Sequence, residues 1–354
     1  METSERARRR RRPEERTAEG GRKLHSAGSA FVVAVFALLL GAVLNAPGIH
    51  KSAVGQPAGW KRDLAVRVSG PLASVSHTLG LDGPRRGLKA ALGRSDDDQI
   101  DTAVAVPAGS SVNTRPRQAA IVRTRFSPAR PLRLWIAGDS LVIVPGESLL
   151  RALAGNRAVE PGQRIDAHIA TGLERPDVFN WFTAVRDEMR GEDRPNSVVV
   201  MFGGNDDHDF MTGLPPGTRI GSFGSSSWLA EYRRRVRAIM DLVNRRGSYL
   251  VWIGLPISHN AEQTARFDTI NSIVQQEAKR RPGHVVYLDT YFFFAGDDGG
   301  YAEYIPDSTG RLVKMRADDG VHFERPAGDL IAQAVLRKLT QRFDLTSWKR
   351  TAAG

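Results

Sequence analysis

Leu132-Arg133-Leu134-Trp135-Ile136-Ala137-Gly138-Asp139-Ser140-Leu141 is the stretch on which the fold turns. A mostly apolar run of strand length enters a Gly-Asp-Ser turn, and a helical pattern over residues 141–154 follows at once. A buried strand feeding a helix through a tight turn opens a βαβ unit. The pattern recurs: residues 165–169, 197–202, 249–255 and 285–288 read as further buried strands. Helical stretches at 176–190, 228–245, 261–280 and 327–342 lie between or after them. In 228–245, Leu229, Tyr232, Val236, Ile239, Met240 and Val243 recur at helical spacing, a stripe for the sheet rather than for a cofactor. The alternation predicts an α/β domain with three α/β/α layers, about five parallel strands and right-handed crossovers.

In an open parallel sheet, ligands gather at the carboxyl ends of the strands. Ser140 follows the first strand. Gly172, in Ala170-Thr171-Gly172-Leu173, follows the second, and Asn205, in Gly203-Gly204-Asn205-Asp206, the third. Asp319-Gly320-Val321-His322-Phe323 comes after the last strand and just before the final helix, so it can return to the same edge. A serine nucleophile needs a neighbouring base, and a histidine base needs a carboxylate to hold its tautomer. Ser140, His322 and Asp319 supply the three parts. Asp139 reads as a stabiliser of the nucleophile turn, and the lack of Gly-x-Ser-x-Gly argues against an α/β-hydrolase elbow.

With these four blocks in order, the chain resembles the SGNH (GDSL-type) hydrolase superfamily, whose blocks contribute Ser, Gly, Asn and His. Residues 310–323 resemble a bacterial, membrane-associated, extracytoplasmic branch of it. The resemblance covers roughly residues 130–345. It implies a flavodoxin-like three-layer domain and a serine esterase that removes acyl or acetyl groups through an acyl-serine intermediate. Ser140, Asp319 and His322 are then catalytic, and Gly172 and Asn205 form the oxyanion hole with the Ser140 N–H. Two other readings share the fold. One is an O-acyltransferase of envelope polysaccharide that uses the same triad. The other is an inactive glycan-binding or scaffold protein.

Asp206-Asp207-His208-Asp209 looks at first like metal ligands, but no His-x-x-x-His spacing accompanies it. Asp206 and His208 are instead expected to line the substrate cleft, with no metal or cofactor. His168 is expected as a hydrogen-bonded histidine at a strand end. The insert 292–316, with Tyr301, Tyr304 and Asp307, is expected to form a hairpin beside the cleft.

The net charge of +11 raises nucleic acid as a partner, but its distribution argues against that. Residues 1–23 hold nine Lys/Arg and five Glu ahead of an apolar run, and no aromatic-interleaved basic stripe follows. Between Lys23 and Lys51 there is no Lys, Arg, Asp or Glu. That stretch reaches the ~20 residues that span a bilayer. Leu44-Asn45-Ala46 before Pro47 is a poor cleavage site, so an uncleaved anchor is favoured over a signal peptide. The expected organisation is a basic cytoplasmic tail (1–23), a transmembrane anchor (24–48), a juxtamembrane spacer and linker (49–130), the catalytic domain (131–345) and a C-terminal tail (346–354). The spacer should hold short helices broken at Gly70-Pro71 and Gly83-Pro84. Expected partners are an acyl-ester substrate, such as an envelope polysaccharide, the bilayer through residues 27–46, and a multi-span membrane acyltransferase in the transfer reading. The protein is expected as a single-pass plasma-membrane protein with its catalytic domain outside. Cysteine is absent, which removes disulfides, thiol catalysis and Cys-ligated metal.

Overall fold

The computed structural model describes residues 27–57, 59–91, 123–162 and 165–345. The expected cytoplasmic tail, most of the expected linker and the expected C-terminal tail lie outside them. Four helices come first: α1 (Ala27–Leu44), α2 (Ala46–Gly55), α3 (Trp60–Thr78) and α4 (Gly83–Ala91). The α/β unit then runs β1 (Thr124–Arg125), β2 (Leu132–Gly138), α5 (Ile143–Leu153), β3 (Val159–Pro161), β4 (Asp166–Ala167), α6 (Trp181–Glu188) and β5 (Ser197–Met201). It continues with α7 (Ser226–Asn244), β6 (Tyr249–Ile253), α8 (Ala261–Lys279), β7 (Val285–Leu288), β8 (Tyr304–Pro306), β9 (Leu312–Lys314), α9 (Arg325–Arg342) and β10 (Phe343–Asp344).

The main sheet is parallel in the order β3-β2-β5-β6-β7, with β4 pairing the carboxyl end of β2 where β3 leaves off. β5 and β6 are buried along their whole length, as a sheet covered on both faces requires. α5 packs with α9, and α7 packs with α6 and α8. Right-handed crossovers put the first pair on one face and the other three on the opposite face. The chain moves outward from β2 to β3 and β4, then returns past β2 to β5. The strand order therefore reverses between β2 and β5, the place where open α/β sheets bind ligands.

Several expectations need correction. Residues 123–130 do not act as linker. β1 pairs in parallel with β10, and buried Phe126 meets Phe343 edge-on at 5.4 Å. The chain's approach to the sheet is thus tied to its last strand. α3 runs through Gly70-Pro71 without a break. Gly70 has no Cβ to collide with the proline ring, and α2 packs alongside, His50 Nδ1 meeting Ser69 Oγ at 3.0 Å. Gly83-Pro84 opens α4 instead of only ending what precedes it, a position where the missing N–H costs nothing.

The apolar N-terminal run forms α1, whose Phe31, Phe36, Leu38 and Leu39 side chains are exposed. No single helix among the described residues is long and apolar enough to cross a membrane; Gly28–Leu44 and Ala46–Gly55 meet that length and composition only as a pair bent by 73°. The bend falls at Asn45, just before Ala46-Pro47, where proline cannot donate to the preceding turn.

Candidate active site

β2 delivers the chain to its carboxyl end at Gly138, where a Cβ would lie 2.2 Å from the Met201 carbonyl oxygen of β5. Only glycine lets the two strands close there. Asp139 follows, fully buried. Its Oδ1 accepts the Leu141 N–H (2.9 Å), and its Oδ2 accepts the N–H groups of Gly203 (3.1 Å) and Gly204 (2.9 Å). One carboxylate thus joins the nucleophile turn to the loop after β5. Burial pushes its pKa up to about 7, against the three N–H donors that favour the ionised form. Ser140 begins a short 3₁₀ turn, Ser140–Val142, that leads into α5.

The segment before α9 brings the other half. Ser140 Oγ and His322 Nε2 lie 2.7 Å apart, and His322 Nδ1 lies 2.6 Å from Asp319 Oδ2. Asp319 Oδ1 also accepts the N–H groups of Val321 and His322, each at 2.9 Å. Some burial works against its ionisation. The two N–H groups and the imidazole outweigh it and bring the Asp319 pKa down to about 2. Ser140, His322 and Asp319 therefore stand in one hydrogen-bonded series, hydroxyl to imidazole to carboxylate.

Gly172 and Asn205 come to the same edge. The Asn205 side-chain amide donates to the Thr171 carbonyl at 3.1 Å, which fixes one block against the other and leaves its second N–H for another acceptor. Among the described residues, no protein acceptor takes the N–H of Ser140 or of Gly172. A Cβ on Gly172 would fall 2.0 Å from Asp206 Oδ1, so glycine is required by a buried carboxylate behind it. Ala170, two residues earlier, holds a φ of +55°, a left-handed conformation that an L side chain adopts at a cost. His168 Nε2 meets Asp166 Oδ1 at 3.0 Å, and its ring stacks on Phe179 with centroids 3.6 Å apart.

Asp206 does not line a cleft. It is fully buried, and its oxygens accept the N–H groups of Leu173 (2.8 Å) and Glu174 (2.9 Å) and the Tyr232 hydroxyl (2.8 Å). The first acid of this short acidic loop turns inward and staples the Gly172 loop. Burial raises its pKa. His208 is exposed, with Nδ1 3.1 Å from the Asn205 carbonyl oxygen and 3.4 Å from Glu174 Oε2. That carboxylate raises the His208 pKa, and burial lifts Glu174 itself to about 8. The described residues contain no group of three or more His, Asp or Glu arranged to hold a metal.

Two buried arginines were not singled out from sequence. Arg316 is fully buried and donates to the carbonyls of Ile257 (2.6 Å), Gly320 (3.3 Å), Val321 (2.6 Å) and His322 (3.3 Å). It lies against the rings of Phe294, Tyr301 and Phe323 at 5.2–5.4 Å, and burial lowers its pKa to about 10. It therefore holds the backbone that carries Asp319 and His322. Arg235 does the same for the loop after Gly172, donating to the carbonyls of Leu173, Glu174 and Thr212 while paired with Glu231 at 2.8 Å. Their only sequence signal is an arginine inside or beside an apolar element.

β8 and β9 form the hairpin expected in the insert, antiparallel with Tyr304 opposite Lys314. Its turn is closed by Asp307 Oδ1, which accepts from Thr309 and Arg311, with Gly310 at φ +82°.

The chain belongs to the family described as "Protein of unknown function (DUF459)", whose model matches residues 133–338. No curated protein matches it in sequence. Among solved structures it is similar to a catalytic mutant of an acetylxylan esterase from Geobacillus stearothermophilus, with 18% identity and a TM-score of 0.40, over 60% of this chain and 95% of that one. It is also similar to an alpha/beta hydrolase enzyme from the metagenome of Lake Arreo, Spain, with 14% identity and a TM-score of 0.37, over 59% and 94% of the two chains.

Proposed function

We propose that this member of the DUF459 family is a serine esterase that cleaves acyl esters through an acyl-Ser140 intermediate. The observation that carries the reading is the unbroken Ser140–His322–Asp319 series at 2.7 and 2.6 Å. With His322 neutral and protonated at Nδ1, Nδ1–H donates to Asp319, and Nε2 accepts the Ser140 proton as Oγ attacks the ester carbonyl. The carbonyl oxygen gains negative charge. The Ser140 N–H, the Gly172 N–H and the second Asn205 N–H supply donors for it. The imidazolium gives its proton to the leaving alcohol, and water, activated by the same imidazole, releases the acid and frees Ser140.

The exposed apolar face of α1 supports a membrane anchor, with the α/β unit outside and an ester of the cell envelope as substrate. Exposed Phe292 and Tyr304, on segments that follow β7, are flat surfaces suited to a sugar ring. Transfer is the second reading. His322 and Asp319 are half exposed, which leaves the acyl group open to an acceptor larger than water.

The test is hydrolysis of a short-chain aryl ester by the full-length protein in neutral detergent, alongside labelling by a serine-directed fluorophosphonate. Ser140→Ala should abolish both. Activity that survives in that variant would sink the assignment. Acyl-sugar formed in place of free acid, when an oligosaccharide is supplied, would select transfer.

A further inference from the structure

α3 carries its polarity reversed. An amphipathic helix of a soluble domain turns its apolar stripe inward and its polar face to water. The residues that α3 buries are instead Arg62, Ser69 and Ser76, seven apart and so on one side of the helix. Arg62 Nε donates to the Val54 carbonyl at 3.0 Å, and the Ser69 hydroxyl meets His50 of α2. On the other side Trp60, Leu64, Val68 and Val75 recur at helical spacing, with Leu79 just past the end of the helix. These five side chains are 53–73% exposed, and exposed Pro71 falls in line with them. An apolar patch this long is a surface that something covers.

α1 points to what covers it. α1 contacts α3 and α4, and its own Phe31, Phe36, Leu38 and Leu39 are exposed. The two bare apolar faces thus belong to neighbouring helices. A second copy of the chain seated on α3 would leave α1 in water, whereas a lipid bilayer covers both. The angles agree with a bilayer. α2 leaves α1 at 73°, and α3 runs back along α2, as the His50–Ser69 and Val54–Arg62 contacts show. With α1 steep in the lipid, α2 and α3 lie close to the membrane plane, the attitude of an interfacial helix. The α/β unit is tied to the same helices without using the stripe. The Gly55 carbonyl accepts the Met211 N–H at 3.0 Å, and Lys89 Nζ donates to the Asp177 carbonyl at 3.2 Å.

We propose that the outer face of α3 lies in the headgroup region of a lipid bilayer, so that the chain meets the membrane along two helices, α1 inserted and α3 flat. The inference rests on the anchoring of α1 and adds the second contact. That contact holds the α/β unit at a set height and tilt over the lipid, which an anchor through α1 alone would not.

The chain has no cysteine, so single cysteines can carry an environment-sensitive nitrobenzoxadiazole label. Full-length Leu64→Cys, Val68→Cys and Val75→Cys are labelled and reconstituted in vesicles of phosphatidylcholine and phosphatidylglycerol. Leu39→Cys in α1 and Asp193→Cys, exposed on the α/β unit, are treated alike. The three α3 labels should emit at shorter wavelength than the Asp193→Cys label and lose intensity to a nitroxide on the lipid headgroup. The Leu39→Cys label should lose more to a nitroxide deep in the acyl chains. Val68→Asp with Val75→Asp, on a face already open to water, should leave the melting temperature in detergent unchanged and reduce the shift of a Leu64→Cys label. A water-like α3 beside a lipid-bound α1 would overturn the proposal and leave the anchor standing. Water-like emission from both would sink the two together. A shift that appears only at high protein density would give the face to a second copy, and one indifferent to the two aspartates would also overturn the proposal. None of these readings uses hydrolysis, so the esterase assignment can fail without touching them.

Discussion

The two halves of the site rest on two aspartates that accept backbone N–H groups in similar ways and end at opposite protonation tendencies. Asp139, between β2 and β5, accepts three N–H groups and is fully buried, with its pKa near 7. Asp319, on the loop before α9, accepts two N–H groups and an imidazole contact, stands half exposed, and has its pKa at about 2. Donor number does not separate them; access to water does. The comparison teaches that the deeper carboxylate serves position and the shallower one serves charge.

Asp319→Asn attacks the charge role directly. It should cut kcat by up to ~10⁴, as in other triads where the imidazole loses its orienting carboxylate. Melting temperature should move little, since the side chain is half exposed; a large loss of stability would erase the contrast with Asp139. Asn205→Ala removes one oxyanion donor and should cost roughly 10²–10³ in kcat, with KM nearly constant. A change confined to KM would mean that Asn205 binds substrate without stabilising the transition state.

Arg316→Lys sharpens the picture from the side of support. Lysine keeps the charge but cannot span four carbonyls, so His322 should drift and kcat should fall by about 10². Asp139→Asn should act mainly on the fold. It places an amide donor against an N–H and should cost about 1–3 kcal/mol. The melting temperature should drop by about 2–4 °C for each kcal/mol in a domain of this size.

The smallest effect is in pH. The Asp139 pKa lies above its unfolded value of 3.8, so its contribution to stability is complete below about pH 4 and fades as pH rises through about 7. Glu174, raised to about 8, fades in the same direction. Asp319, lowered to about 2, contributes above about pH 4 and loses that contribution as pH falls toward 2. Melting temperature should therefore decline from pH 5 to 8. Asp139→Asn should flatten the decline; an unchanged slope would assign it to other groups.

Much of this was legible in the chain because the relevant signals are local. Val198–Val200 and Leu250–Ile253 are β-branched or apolar runs that a doubly covered sheet demands. Ser140, Asn205 and His322 sit in short blocks, each next to a strand or helix. What could not be read depended on distant partners. Asp206 looks like its acidic neighbours until Tyr232 and the Leu173 N–H are brought to it. Arg316 and Arg235 look like surface charges until carbonyls from separated loops surround them. β3 is three residues ending in proline, too short for a period, and exists because β2 offers it a partner.

The β8–β9 hairpin closes its own turn, and the Met315 N–H donating to the Glu303 carbonyl at 2.8 Å closes its base. Its two ends therefore lie side by side. Such an element is modular: its length and surface can vary while Arg316, Asp319 and His322 keep their register. Exchange of this segment would change the surface it presents and leave the edge that carries Ser140, His322 and Asp319 as it is.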